Sequence, residues 1–224
     1  MSAKRVTIFA GHYGSGKTNV AVNYALSLSG EGKKVSLSDL DIVNPYFRSK
    51  DSEKILKDAG IRFISSEYAN SNVDMPALPA DAYSVTADKE RFAVVDVGGD
   101  DRGALALGRY VPEILEENDY EMLFVINKFR PLTRDAQSAV EVMREIEDAA
   151  KMRFTAIVNN SNVGELTTAQ DVLSSAEYAN EVSQMTGLPI RMTSVHYDLE
   201  SELSGKIENL FPIRLYIRQT WKTE

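Results

Sequence analysis

Cysteine is absent from all 224 residues. Disulfides, thiolate-held zinc and thiolate-held iron–sulfur clusters are therefore excluded within one chain. Histidine is nearly as scarce, and His12 and His196 alone argue against a structural zinc site. Positive charge is also in deficit, with 25 Lys and Arg against 33 Asp and Glu, a formal net charge of −8. A chain without a basic excess lacks the general means to neutralise a phosphate backbone, so no nucleic-acid partner is expected. No stretch reaches the roughly 20 apolar residues needed to span a bilayer. The opening MSAKRVTIFAG has neither the apolar run nor the small-residue cleavage site of a secretory signal. Cytoplasm is the expected location.

What the chain does have is VTIFAGHYGSGKT at Val6–Thr18. A β-branched and aromatic run, Val6–Ala10, leads into Gly11–Thr18, which fits G-x-x-x-x-G-K-[ST]. A periodic helical segment follows, and strand, glycine loop and helix together are the context a P-loop requires. Gly11, His12, Tyr13, Gly14, Ser15 and Gly16 would let consecutive backbone N–H groups face phosphate at the positive end of the helix. Lys17 would reach the terminal phosphates, and the Thr18 hydroxyl would bind Mg²⁺. The length suits one nucleotide-binding domain over residues 1–224.

Further along, apolar strands alternate with helical patterns. The first helix places Val20, Ala21, Tyr24, Ala25 and Leu28 on one side, and Lys34–Leu40 reads as the second strand. Asp39 and Asp41 stand two apart at its end, with Asn44-Pro45 marking an abrupt turn. Asp41, nearer the loop, is the better candidate for Mg²⁺, the attacking water or the terminal phosphate. Ser52–Ala59 predicts a helix and Arg62–Ser65 a short strand, while Ser66–Ala87 is irregular and receives no chemistry. Arg91–Val97 is an apolar strand that closes on Asp96, followed by Gly98-Gly99-Asp100-Asp101. A carboxylate ending a buried strand is costly unless paired or metal-associated. Asp96 takes the Walker B role, and Gly99 completes an Asp-x-x-Gly whose N–H can meet the terminal phosphate and move on hydrolysis.

The remaining pattern predicts a helix over Ala104–Asn118, a strand Met122–Ile126 and a helix Arg134–Ala150 capped by Thr133. Strand Phe154–Val158 then ends in Asn159-Asn160, and a long helix from Thr167 or Thr168 runs to Met185, closed by Gly187. Leu188–Met192 reads as a last core strand, with Thr193–Leu199 a loop. The tail Phe211–Lys222 fits either an alternating strand or a helix with a basic amphipathic face. Packing on its own domain is preferred for it over contact with membrane. The alternation predicts an α/β fold: a mostly parallel central sheet with helices on both faces, the three-layer sandwich of P-loop NTPases.

With the Asp39–Asn44 loop and the Asp96-x-x-Gly99 turn in place, the chain resembles the MinD/ParA/nitrogenase-iron-protein class of P-loop ATPases. It also resembles the nucleotide-binding domain of cobyrinic acid synthases. That class carries G-K-G-G-x-G-K-[ST], and here His12 occupies the place of the signature lysine. The resemblance implies a nucleotide-bridged homodimer, but the lysine contact of that dimer has no counterpart in this chain. An imidazole meets phosphate more weakly and with pH-dependent charge. By position the resemblance makes Asp41 the switch I carboxylate, Asp100 the residue that positions water, and Asn159 the residue that meets adenine. Gly103 stands where the iron protein has its cluster cysteine, and the paired-cysteine site of nickel-insertion ATPases is likewise missing.

The leading reading is a Mg²⁺-dependent ATPase that uses hydrolysis to switch conformation for an unidentified protein partner. Lys17, Asp41 and Asp100 would serve catalysis, and Thr18, Asp41 and Asp96 the metal. The P-loop, Gly99, Asn159 and Asn160 would hold ATP or ADP. Alternatives are an ATP-dependent ligase, such as one amidating a carboxylate through an acyl phosphate, and a nucleotide-binding interaction protein with negligible turnover. Guanine specificity is disfavoured because Asn127-Lys128-Phe129-Arg130 lacks the final Asp of Asn-Lys-x-Asp.

Overall fold

A computed structural model describes residues 3–40, 50–65, 84–99 and 101–216. Strands β1 (Val6–Ala10), β2 (Val35–Asp39), β3 (Arg62–Ser65) and β4 (Phe92–Asp96) alternate with α1 (Lys17–Gly30), α2 (Lys50–Asp58) and the short α3 (Ser84–Ala87). Helices α4 (Asp101–Gly108) and α5 (Val111–Glu117) lead to β5 (Tyr120–Ile126). Helix α6 (Ala136–Ala150), β6 (Ala156–Asn159), α7 (Ala169–Thr186), β7 (Ile190–His196), α8 (Glu200–Leu203) and β8 (Leu210–Ile213) complete the order. The strands form one eight-stranded sheet, β3-β2-β4-β1-β5-β6-β7-β8. Every described pairing in it is parallel.

Alternating side chains divide the core into layers, as a pleated strand requires. Val6, Ile8, Met122, Phe124 and Ile126 pack with Leu107, Ile114, Met143 and Val182 on one face. Phe9, Leu123, Val125 and Val158 pack with Val20, Ala21, Tyr24, Leu28 and Leu56 on the other. Each fully buried side chain of this size contributes about 1.5–3 kcal/mol. Helices thus cover both faces, as expected.

The chain leaves β1 toward β2 on one side and leaves β4 toward β5 on the other, although β1 and β4 are neighbours. Such a reversal opens a crevice beyond the carboxyl ends of the strands. The Gly11–Thr18 loop and the turn after Asp96 both stand there.

Several local expectations are corrected. The helix foreseen over Ala104–Asn118 is two helices, because Gly108 ends the first and Pro112, in the opening turn of α5, starts the second. Between them Tyr110 turns inward and is 2% exposed. Thr133 does not cap α6. It closes a 3₁₀ turn begun by Pro131, and Asp135 caps the helix by accepting from Ser138 N at 2.9 Å. Thr193–His196 is strand rather than loop because β8 gives it a ladder, from Thr193 against Leu210 to His196 against Ile213. The strand reading of the tail therefore holds through Ile213, and residues 217–224 lie outside the described residues. So do residues 66–83, most of the irregular stretch. No helix among the described residues is long and apolar enough to cross a membrane.

Candidate nucleotide-binding site

The loop between β1 and α1 is a tight turn in which Ser15 N donates to His12 O at 3.1 Å. Helix α1 opens at Lys17 with no side-chain cap and no acidic residue in its first turn. Its first N–H groups therefore lack helical acceptors and present the positive end of the dipole to the crevice. Lys17, only 6% exposed, lies back over the loop and donates from Nζ to His12 O at 3.2 Å. Thr18 follows it, half-buried in the same turn. This is a backbone and side-chain set suited to an oligophosphate.

Two neighbouring strand ends hold the loop in place. Asn160, just past β6, donates from Nδ2 to Ser15 O at 2.6 Å and accepts from Ser194 Oγ at 2.6 Å. Gly16 has φ +85°, and a Cβ there would collide with that Asn160 amide. Glycine is therefore required twice over, for conformation and for space. On the β5 side, Arg130 Nε donates to Gly14 O at 2.8 Å. His12 turns its Nδ1 to within 2.9 Å of Tyr13 O, on its own loop, and Tyr13 is 52% exposed.

The acidic wall comes from β4 and β2. Asp96 is 3% exposed and pairs in register with Phe9 on one side and Asp39 on the other. Residues in register on parallel strands share a face, and Phe9 packs toward α1. Both carboxylates therefore face the layer that carries Lys17 and Thr18. The turn beyond Asp96 also touches the loop, since a Cβ on Gly99 would lie 2.6 Å from Tyr13 N. Thr18, Asp96 and Asp39 are hard oxygen donors that fit Mg²⁺, which keeps several waters rather than a closed protein cage. Among the described residues no three His, Asp or Glu side chains cluster.

Asp41 and Asp100 lie outside the described residues. Asn159 turns inward, 1% exposed, donating to Ser175 Oγ at 2.9 Å and accepting from Ser161 N at 3.2 Å. Behind it, Asn160, Asn162, Thr167, Ser194, His196 and Ile213 line a cavity at the same rim. Sequence reasoning missed Arg130, Ser194 and Asn127. The buried Asn127 side chain accepts from Phe129 N at 3.0 Å and donates to Asn162 O at 3.1 Å. A polar residue directly after a core strand was the only available signal, and which of these ends adjoins the P-loop depends on strand order.

Among solved structures, the fold is similar to that of chloroplast FtsY from Physcomitrella patens, at 17% identity and a TM-score of 0.58 over 86% of this chain and 59% of that one. It is also similar to the cell division protein FtsY from Thermotoga maritima, at 21% identity and a TM-score of 0.57 over 85% and 61%. The signal recognition particle receptor FtsY from Elizabethkingia anophelis, in complex with GDP, matches at 17% identity and a TM-score of 0.50 over 87% and 58%. The chain thus spans about three-fifths of these structures, and identities this low establish the fold alone. No curated protein matches the sequence. The model of the CobQ/CobB/MinD/ParA nucleotide binding domain matches residues 6–176. That span is well over half of the chain, and the protein belongs to this family of P-loop nucleotide-binding domains.

Proposed function

We propose that the protein is a Mg²⁺-dependent ATPase whose hydrolysis switches a surface recognised by a protein partner. The observation that carries this reading is the contact of the Gly99 turn with the Tyr13 backbone. It couples the turn that begins at the buried Asp96 to the crest of the phosphate loop. Lys17 and the uncapped N–H groups of α1 hold the phosphates and neutralise charge that develops on them. Thr18, Asp96 and Asp39 hold Mg²⁺, which supplies further positive charge on the terminal phosphates when bound. Asp41 and Asp100 orient the water. The base rests on the rim formed by Asn160–Gly164 and Ser194–His196, with adenine as the expected base. Tyr13 and Leu132, 52% and 57% exposed on two loops joined by the Arg130–Gly14 hydrogen bond, suit a partner-covered surface beside the site.

Lys17→Ala tests the reading. Calorimetric titration with MgATP should show a loss of affinity of about 10- to 100-fold, the range of a charge-assisted hydrogen bond, and turnover should disappear. The far-ultraviolet spectrum should stay that of wild type. Unchanged affinity together with unchanged turnover would overturn the assignment.

A further inference from the structure

The chain beyond β8 turns along α1. Phe211, in β8, meets the Tyr24 ring edge to face with centroids 6.4 Å apart. Asn23 then takes both backbone groups of Arg214, accepting from its N at 2.9 Å and donating from Nδ2 to its O at 2.8 Å. Asn19 Oδ1 accepts from Tyr216 N at 3.0 Å. Asn19 and Asn23, four residues apart, share one face of the helix. Their amides do for Arg214–Tyr216 what a neighbouring strand would do. Each contact lies nearer the start of α1 than the one before, so the segment runs toward the phosphate loop. Asn19 is the third residue of α1 and precedes Val20, whose N donates to Gly16 O at 3.3 Å.

The same segment also touches the other half of the site. The Arg214 guanidinium lies 4.4 Å over the Tyr197 ring, in the 3₁₀ turn Tyr197–Leu199 that directly follows β7. Leu215 lines the rim cavity with Asn160, Ser194 and His196. One short segment thus joins the helix that offers N–H groups to phosphate and the strand ends that border the base. A nucleotide has to span those two parts, so their separation sets how well it fits.

We propose that Arg214–Tyr216 is a positioning strap for the nucleotide, pinned by Asn19 and Asn23, and that its docking is coupled to nucleotide occupancy. The proposal rests on the nucleotide-binding reading above and deepens it. With the strap in place, the phosphate and base halves stand at the spacing of a bound nucleotide, and less ordering is left to occur on binding. A bound nucleotide in turn holds the two halves together and keeps the strap on α1. The coupling is reciprocal: whatever draws Arg214–Tyr216 off α1 lowers nucleotide affinity by the factor by which nucleotide strengthens the docking. A protein partner that grips the exposed Arg214 would thereby discharge the site.

The test compares ADP, which spans both halves, with pyrophosphate, which uses the phosphate half alone, on wild type and on Asn23→Leu. Leucine removes both bonds to Arg214, and the bond from Asn23 to Asn19 O within the helix. It favours helix more than asparagine does, so α1 itself is not weakened. Calorimetry with Mg²⁺ should show ADP weakened about 5- to 10-fold in the variant and pyrophosphate less than about twofold. Equal losses for both ligands would mean that Asn23 merely supports α1, and that result, or no loss for either, overturns the proposal. Hydrogen exchange in wild type gives a measurement that needs no variant. At concentrations of the two ligands that raise the melting temperature equally, ADP should slow the Arg214 and Tyr216 amides about fivefold or more relative to pyrophosphate. Equal rates with both ligands overturn the proposal. Wild type that binds neither ligand overturns the P-loop reading and this proposal with it. Wild type that binds both, with an unselective Asn23→Leu, removes the proposal alone.

Discussion

Asn160 sits between two elements that meet only in the folded chain, and both ends of its amide are committed. One end supports the carbonyl of Ser15 in the phosphate loop and the other receives the hydroxyl of Ser194 from β7. Both contacts are buried. Asn160→Ala would take this donor from the buried Ser15 carbonyl and leave the Ser194 hydroxyl only its longer contact with Asn159 O at 3.4 Å, a loss of about 1–3 kcal/mol. Thermal denaturation should show that loss. Titration should show ADP and a triphosphate analogue weakened by similar factors, because the whole loop loosens. A variant with wild-type stability and wild-type affinity for both would deny the bracing role. The sequence marks Asn160 as a polar residue closing a core strand, and so as a candidate for the base. Its actual partner, the Ser15 carbonyl, lies 145 positions away, beyond what local pattern can reveal.

Among the elements, α6 shows how a helix is fixed at both ends by polar contacts. Asp135 caps its start, and Glu147, 4% exposed in its last turn, holds the connection to β6. That carboxylate accepts from Phe154 N at 2.9 Å, Arg153 at 2.6 Å and Arg144 at 2.8 Å. Burial alone would raise the Glu147 pKa, but these donors outweigh it and hold the group below its ordinary value. With the folded pKa lowered, the stabilisation is complete above the unfolded value and is lost as pH falls through the folded one. Glu147→Gln should cost roughly 1–3 kcal/mol at neutral pH. Its urea midpoint should also fall less than that of wild type between pH 7 and pH 4. Parallel falls would exclude Glu147 as a source of the acid sensitivity. The helix itself is legible from its apolar period. Glu147 is not, since a glutamate on a helix reads as a solvated residue until the return of the chain at Arg153 and Phe154 buries it.

Across the whole molecule, a buried polar cluster ties the sheet to α1 away from the crevice. Glu121 on β5 accepts from Tyr24 OH on α1 at 3.2 Å, from Arg191 Nε on β7 at 3.1 Å and from Thr7 Oγ1 on β1 at 3.4 Å. Burial, with the charge of Glu121 adding to it, pushes the Tyr24 hydroxyl up to about 12. A raised folded pKa means that the folded chain holds this proton more tightly. The contribution is whole below the unfolded value of about 10 and disappears as pH rises from there to about 12. Tyr178, whose hydroxyl donates to Thr133 O at 2.6 Å, is raised by its burial in the same sense. Urea midpoints measured from pH 8 to pH 11.5 should therefore fall steeply above pH 10 in wild type. They should fall less steeply in Tyr24→Phe, which retains only the Tyr178 part, while the lost hydrogen bond lowers its neutral stability by about 1 kcal/mol. Identical slopes would mean that Tyr24 is not held in this way.

The sequence by itself determined the phosphate loop, the acidic strand end at Asp96 and the rhythm of strands and helices that makes a covered parallel sheet. Those features are local: a turn needs its glycines, a buried strand needs apolar residues, and a helix needs its period. Tertiary structure decided which strand ends become neighbours. The order β3-β2-β4-β1-β5-β6-β7-β8 sets Asp39 beside Asp96 and brings the ends of β5 and β6 to the loop that follows β1. It also turned Thr193–His196 into strand, because a ladder exists only once β8 has arrived to pair with it. Arg130 and Asn160 owe their places on Gly14 and Ser15 to that order. No local pattern encodes the order, since parallel strands are joined through helices of similar composition and only packing selects the neighbour.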